Sequence, residues 1–185
     1  MARATDERTL IAAVIPPGNA LGHSVPFFHR SVQDDPKVGY RTLMDAPSML
    51  YLCGLLNSLV LDFVVRRKVT AHLTKSIMAT LPIPDPSPGS SRRAAIVELA
   101  ARLTCRSPAF NDLAQALDVQ CGPLDHAEDV QLRAELDAHI AHLYGLSRNQ
   151  LVRVLADFRK SKGEGTLVPP DDDYKRAVLA AYDRR

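Results

Sequence analysis

Met49-Leu-Tyr-Leu-Cys-Gly-Leu-Leu-Asn-Ser-Leu-Val-Leu-Asp-Phe-Val-Val65 is the stretch on which the fold turns. Its length approaches that of a membrane span, but Asn57, Ser58 and Asp62 fall in its second half, and hydrocarbon would penalise each of them. It therefore reads as a buried helix of a water-soluble domain. Ser48 serves as its N-cap, and the helix continues to about Lys68. Met49, Leu52, Leu56, Leu59, Val60 and Phe63 make one stripe, widened by Leu55 and Leu61.

Outward from this helix the chain divides into unlike halves. Upstream, Arg8 to Pro16 is an apolar run of strand length, stopped by Pro16-Pro17-Gly18, and reads as a largely buried strand. From Asn19 to Pro47 the pattern is short and punctuated by Gly and Pro, leaving room only for brief strands such as Ser24 to Arg30. Downstream, Val69 to Leu81 allows a short helix capped by Thr70 or a partly extended path. Pro82 to Ser91 holds four prolines, which no helix interior or central strand accepts, and reads as a linker or stiff strap.

Beyond the strap every period is helical. Arg92 to Thr104 is one helix, and Ser107 with Pro108 opens the next segment. Asp125 with Glu128 and Ser147 with Gln150 have capping-box spacing, where cap and third residue satisfy each other's backbone donors. Leu132, Leu136, Ile140 and Leu143 line the first of these helices, which stops at Tyr144-Gly145. Leu151, Val154, Leu155 and Phe158 line the second. A terminal helix runs from Asp171 to about Tyr182. The expected fold is α+β and mainly α, with short strands and a buried helix first and a helical hairpin or bundle after. The expected units are residues 1–81, a linker at 82–91 and a helical region at 92–185.

Composition narrows the function classes. The chain has 185 residues, 46% of them hydrophobic and 24% charged, with a net charge of +2. That excludes wholly disordered, collagen-like and disulfide-scaffold classes. Cys53, Cys105 and Cys121 are odd in number and lack zinc spacing, which fits free thiols in a reducing compartment. No apolar signal core follows the charged N-terminal residues, so a cytoplasmic protein with no membrane partner is expected. Gly-rich phosphate loops, a nucleophile elbow and paired-cysteine metal motifs are all missing, so no catalytic, cofactor or metal residue is assigned. Glu135, His139 and His142 share a helix face, which reads as solvated surface in preference to a metal site.

Charge is unevenly spread: eleven basic and seven acidic residues up to Arg93, twelve and fourteen after it. Arg66, Arg67 and Lys68, followed by His72 and Lys75, form a basic cluster with no acid between Asp62 and Asp85. Such a cluster either complements the negative end of a helix or contacts phosphates. His23, Lys37, Tyr40 and Arg41, with Ser24, Phe27 and Phe28 nearby, lie on the loop-rich segment that would approach base edges.

Four phrases in order carry a family resemblance: Asp6-Glu-Arg-Thr-Leu-Ile-Ala-Ala-Val-Ile-Pro-Pro-Gly18, Leu55-Leu-Asn-Ser-Leu-Val-Leu-Asp-Phe63, Leu81-Pro-Ile-Pro84 and Leu132-Arg-Ala-Glu-Leu-Asp-Ala-His-Ile-Ala-His-Leu-Tyr-Gly-Leu146. Together they resemble the C-terminal target-recognition (TaqI-like specificity) region of bacterial adenine-specific DNA methyltransferases and fused restriction-modification enzymes, over roughly residues 3 to 158. The resemblance implies selection of a double-stranded DNA sequence while a separate methyltransferase domain, using S-adenosylmethionine, acts on a flipped adenine. The family's Gly-rich cofactor motif and its Asn/Asp-Pro-Pro-aromatic motif are not in this chain. By the same resemblance the chain is expected to be a piece of a longer protein. The alternative from another class is a helical protein-interaction module that does not touch DNA.

Overall fold

A computed structural model describes residues 7–22, 27–35, 39–70, 73–158 and 171–184, with the side chains at 34 and 35 left aside. The described residues are mainly helical, 57% of them in helices, with one short antiparallel sheet. Strand β1 (Ser31–Asp35) pairs with β2 (Gly39–Thr42), setting Ser31 opposite Thr42 and Val32 opposite Arg41. Gly39 begins β2 at φ +87°, a conformation that suits glycine. The Arg30 carbonyl accepts from both Leu43 and Met44 N–H, closing the base of the ribbon.

The decisive apolar stretch forms two helices. Helix α1 (Ala46–Leu56) starts one turn earlier than expected, because Asp45, not Ser48, is the cap and accepts from Ser48 N–H. Asn57 and Ser58 then break the chain by 64°. Ser58 accepts from Leu61 N–H and thereby caps a new helix, α2 (Leu59–Lys68). No single helix among the described residues is long and apolar enough to cross a membrane.

Asn57 also explains why Arg8 to Pro16 is not a strand. Its side-chain amide accepts from Ala12 N–H at 3.1 Å and donates to the Ala12 carbonyl at 2.8 Å. One side chain thus pairs with Ala12 as a neighbouring strand's backbone would. Thr9 N–H goes to the Asp62 carboxylate instead of to a ladder. The segment is an extended strap tied by side chains, with Thr9 and Leu10 buried and Ile11, Ala13 and Ile15 exposed. The strand expected at Ser24 to Arg30 falls partly outside the described residues, and the part that is described, Phe27 to Arg30, precedes β1 without joining it. After α2, helix α3 (Lys75–Ala79) takes its cap from Thr74 instead of Thr70.

The second half follows its local signals. Helix α4 (Ser91–Thr104) is capped by Ser90, and α6 (His126–Leu143) and α7 (Arg148–Ala156) carry both expected capping boxes. Between α4 and α6, Pro108–Phe110 makes one 3-10 turn leading into α5 (Asn111–Ala116), with no cap bond from the Ser107 side chain. Gly145, at φ +67°, ends α6 in the left-handed region. Helix α8 (Asp172–Asp183) closes the chain, capped by Asp171. The bundle has α6 packed between α4 and α8, with α7 against α8 and α2. Leu151, Val154, Leu155 and Phe158 are buried, as their spacing predicts.

One apolar cluster runs from Leu10 through α1, α2, α4, α6 and α7 to Val178. The Pro-rich stretch crosses its surface as a strap: Tyr144 Oη donates to the Pro82 carbonyl at 2.6 Å and Tyr51 Oη to the Pro84 carbonyl at 2.7 Å. Burial pushes both phenols up. Helix α1 meets α4 at Gly54, where a Cβ would lie 3.3 Å from Ala100 Cβ and from Ile96 Cγ2. Gly54→Val should therefore force these helices apart and destabilise the fold by about 2 kcal/mol, read by urea unfolding. An unchanged midpoint would show that the contact can relax at no cost.

Candidate nucleic-acid interface

The sites expected from sequence are held in very different ways. Arg66 is drawn inward: its side chain is 12% exposed, Nη2 donates to the Glu7 carbonyl at 2.8 Å, and the guanidinium stacks 4.4 Å from the Phe158 ring. Its Nε also lies 3.9 Å from Asp62, the buried carboxylate that accepts from Arg8 Nε at 2.7 Å. Arg66 thus joins the α2 terminus to the N-terminal strap and to the chain after α7. A guanidinium suits this role because its flat face stacks while its edge donates.

Arg67 and Lys68 are outside that network. Arg67 is half-exposed, lies 3.4 Å over the Phe63 ring, and pairs with Asp157 at 3.2 Å. Lys68 is exposed and reaches Thr80 Oγ1 at 2.9 Å and the Thr80 carbonyl at 3.2 Å. Lys75 is exposed on the first turn of α3, where the helix dipole does not favour a cation. His23, Lys37 and His72 lie outside the described residues.

Tyr40 and Arg41 occupy the β1–β2 ribbon. Every residue of β2 is exposed, and Tyr40 reaches 74%. Phe27 and Phe28 are exposed just before the ribbon, at 49% and 67%, and Arg30 at its base donates from Nε to the Met44 carbonyl. Exposed phenyl and phenol rings beside arginines supply both stacking faces and cations, the two functions that a nucleic acid uses.

A groove of about 620 Å³ lies at the foot of the ribbon. Leu43 and Met44, Tyr51 and Leu52 of α1, and Ile83 and Pro84 of the Pro-rich strap line it. Arg93 closes one end, bound to Asp85 at 3.1 Å and to Ser48 Oγ at 2.9 Å, and stacked 4.5 Å from the Tyr51 ring. Asp45 stands at the rim, its carboxyl held below the usual range by hydrogen bonds from Ser48. Thr80, which holds Lys68, is four residues before Pro84, so the chain between them spans at most about 14 Å. The groove escaped sequence reasoning because two stretches far apart in the chain, 42–52 and 83–93, build it, and neither carries a motif. Arg30 was missed too, although its place beside two phenylalanines was a usable signal.

His139 and His142 of α6 are not the solvated face that their spacing suggested. His139 is buried, and His142 stacks on Tyr182 with centroids 3.9 Å apart, its Nε2 3.1 Å from the Tyr182 carbonyl. Glu135 accepts from Gln131 and pairs with Arg184. Helix α8 covers His142, whose ring stacks on Tyr182. Among the described residues no three potential ligands gather as a metal site. All three cysteines are free thiols, Cys105 buried and the other two partly so.

No family model, curated protein or solved structure matches this chain.

Proposed function

We propose that this chain is a DNA sequence-recognition module of a bacterial adenine-specific DNA methyltransferase or restriction-modification enzyme, acting in the cytoplasm. In this reading methyl transfer from S-adenosylmethionine belongs to a separate domain, and double-stranded DNA and that domain are the partners. The observation that carries the reading is the β1–β2 ribbon with Tyr40 and Arg41 exposed on it. A two-stranded ribbon fits the width of the major groove, where base edges are distinguishable. Strand β1 contributes Asp34 and Asp35 to the sequence of the ribbon, so anion contact falls to β2 and to the flanking arginine, Arg30.

Under this reading Arg67, Lys68 and Lys75 contact phosphates and set orientation, while Tyr40 and Arg41 approach bases. Arg66 is left to its internal contacts. The test is binding of the purified chain to a pool of random duplexes at two salt concentrations, with the retained DNA sequenced. An enriched motif is expected. Lys68→Glu with Lys75→Glu should weaken all duplexes alike and flatten the salt slope by about 2, whereas Arg41→Ala should relax one position of the motif. Absence of binding at low salt by folded protein would sink the proposal.

One observation favours the second reading, a protein-interaction module. Ile11, Ile15, Leu21, Phe27, Phe28, Tyr40 and Leu43 account for most of the exposed large hydrophobic side chains among the described residues. All seven fall within residues 11–43, before α1, and a contiguous exposed apolar patch there would mark a partner-binding surface. Concentration-dependent self-association of the isolated chain, without DNA binding, would favour this reading over the first.

A further inference from the structure

A second cavity, of about 340 Å³, lies where the N-terminal strap crosses helices α1, α4, α6 and α8, away from the ribbon. That volume falls in the range of small-molecule sites, and most of the wall is apolar, including Ala100, Leu103 and Phe110. Three charged groups also line it: Arg8, Arg133 and Asp137. Arg8 commits Nε to Asp62 and Nη2 to the Asn57 carbonyl, and Arg133 commits Nε to Asp129 at 2.8 Å. A guanidinium carries five N–H donors, so both retain donors beyond these bonds.

Asp137 is 4% exposed, and its carboxylate accepts two bonds, from Leu59 N–H and from Tyr174 Oη, each at 2.7 Å. A carboxylate offers about four lone-pair sites, so half its capacity remains. Neither guanidinium hydrogen-bonds to Asp137, though both act on it electrostatically. An occupant matching these walls presents an anion to two guanidiniums, a hydrogen-bond donor to one carboxylate, and an apolar body to the rest.

We propose that this cavity binds a small zwitterion with an apolar side chain, of the chemical class of a free aliphatic α-amino acid. The carboxylate lies between Arg8 and Arg133, the ammonium donates to Asp137, and the side chain rests against α4 and Phe110. This site is independent of the DNA reading, and its test uses no nucleic acid.

The probes are L-leucine, 4-methylpentanoate, which lacks the ammonium, and 3-methylbutylamine, which lacks the carboxylate. Each is added to the unmodified full chain. At about a hundredfold excess over its Kd, leucine should raise Tm by about 5–11 °C, and neither half-ligand should do so at the same concentration. Cys53 lines the cavity and Cys121 does not, which gives a second readout in alkylation by iodoacetamide followed by peptide mass spectrometry. Leucine at that excess should slow labelling of Cys53 by at least about tenfold and leave Cys121 unchanged. A leucine Tm shift with selective protection of Cys53 supports the site. No shift, no protection, or an equal effect from either half-ligand overturns it.

Discussion

Asp62→Ala should lower the unfolding free energy by about 4 kcal/mol, the scale set by breaking a buried ion pair from one side. The Asp62 carboxylate is fully buried and accepts from Arg8 Nε at 2.7 Å and Thr9 N–H at 3.1 Å, with Arg66 Nε 3.9 Å away. Alanine takes the carboxylate acceptor from the part-buried Arg8 guanidinium and from the buried Thr9 N–H. For a chain of this size the loss corresponds to about 8–16 °C in Tm. Asp62→Asn should cost less, because an amide oxygen still accepts from Thr9 while the charge opposite Arg8 is lost. A local signature should accompany the global one. The strap from Arg8 to Ala12 is held by Asp62 and Asn57, so trypsin should cut after Arg8 in the alanine variant well before the helices unfold. A variant as stable as the parent, with Arg8 still protected, would show that the strap is anchored elsewhere.

The second large effect is expected at Asp137. Its two oxygens accept from Leu59 N–H, an orphan donor at the start of α2, and from Tyr174 Oη on α8. One carboxylate on α6 therefore ties down two other helices. Asp137→Ala leaves both donors buried without an acceptor, at a cost of about 3 kcal/mol in urea unfolding. Tyr174→Phe removes only the hydroxyl and should cost about 1 kcal/mol. In the double variant the two losses should fall short of additive by about 1 kcal/mol, the mark of a shared bond. Strict additivity would show that the two side chains act separately.

Titration separates Asp137 from its neighbour Asp129. Burial pushes the Asp137 carboxyl above its ordinary value of 3.8, while the Tyr174 hydrogen bond, Arg8, Leu59 N–H and Arg133 pull against it. With its folded pKa raised, its contribution to stability is fully present below pH 3.8 and declines as pH rises through the folded value. The stability of the parent chain relative to Asp137→Asn should therefore fall as pH is raised from about 4. Asp129 runs the other way. Burial pushes it up, but bonds and charge from Arg133 and Arg106 outweigh burial and hold it below 3.8. Its contribution is present above 3.8 and is lost as pH falls through the folded value. Stability relative to Asp129→Asn should thus shrink on acidification. The same slope for both pairs would contradict the assignment.

What sequence by itself determined lies in the second half of the chain. The Asp125–Glu128 and Ser147–Gln150 boxes, the left-handed Gly145 and the buried face of α7 are set by residues three or four apart. The energies involved are local, so they are legible in a window of one or two turns. The candidate interface was legible only in part: Tyr40 and Arg41 are exposed as expected, but Arg66 is turned inward by Glu7, 59 residues away.

Only the tertiary structure decided the first half. Arg8 to Pro16 has strand composition, yet its backbone finds its partners in Asn57 and Asp62, 45 and 53 residues on. Asn57 and Ser58 look like polar blemishes in one long helix, but they end α1, cap α2 and hold the strap. Leu59, first residue of α2, in turn gives its free N–H to Asp137, 78 residues later. Buried polar groups must be satisfied by whatever the fold brings near them, and a linear reading cannot see which group that will be.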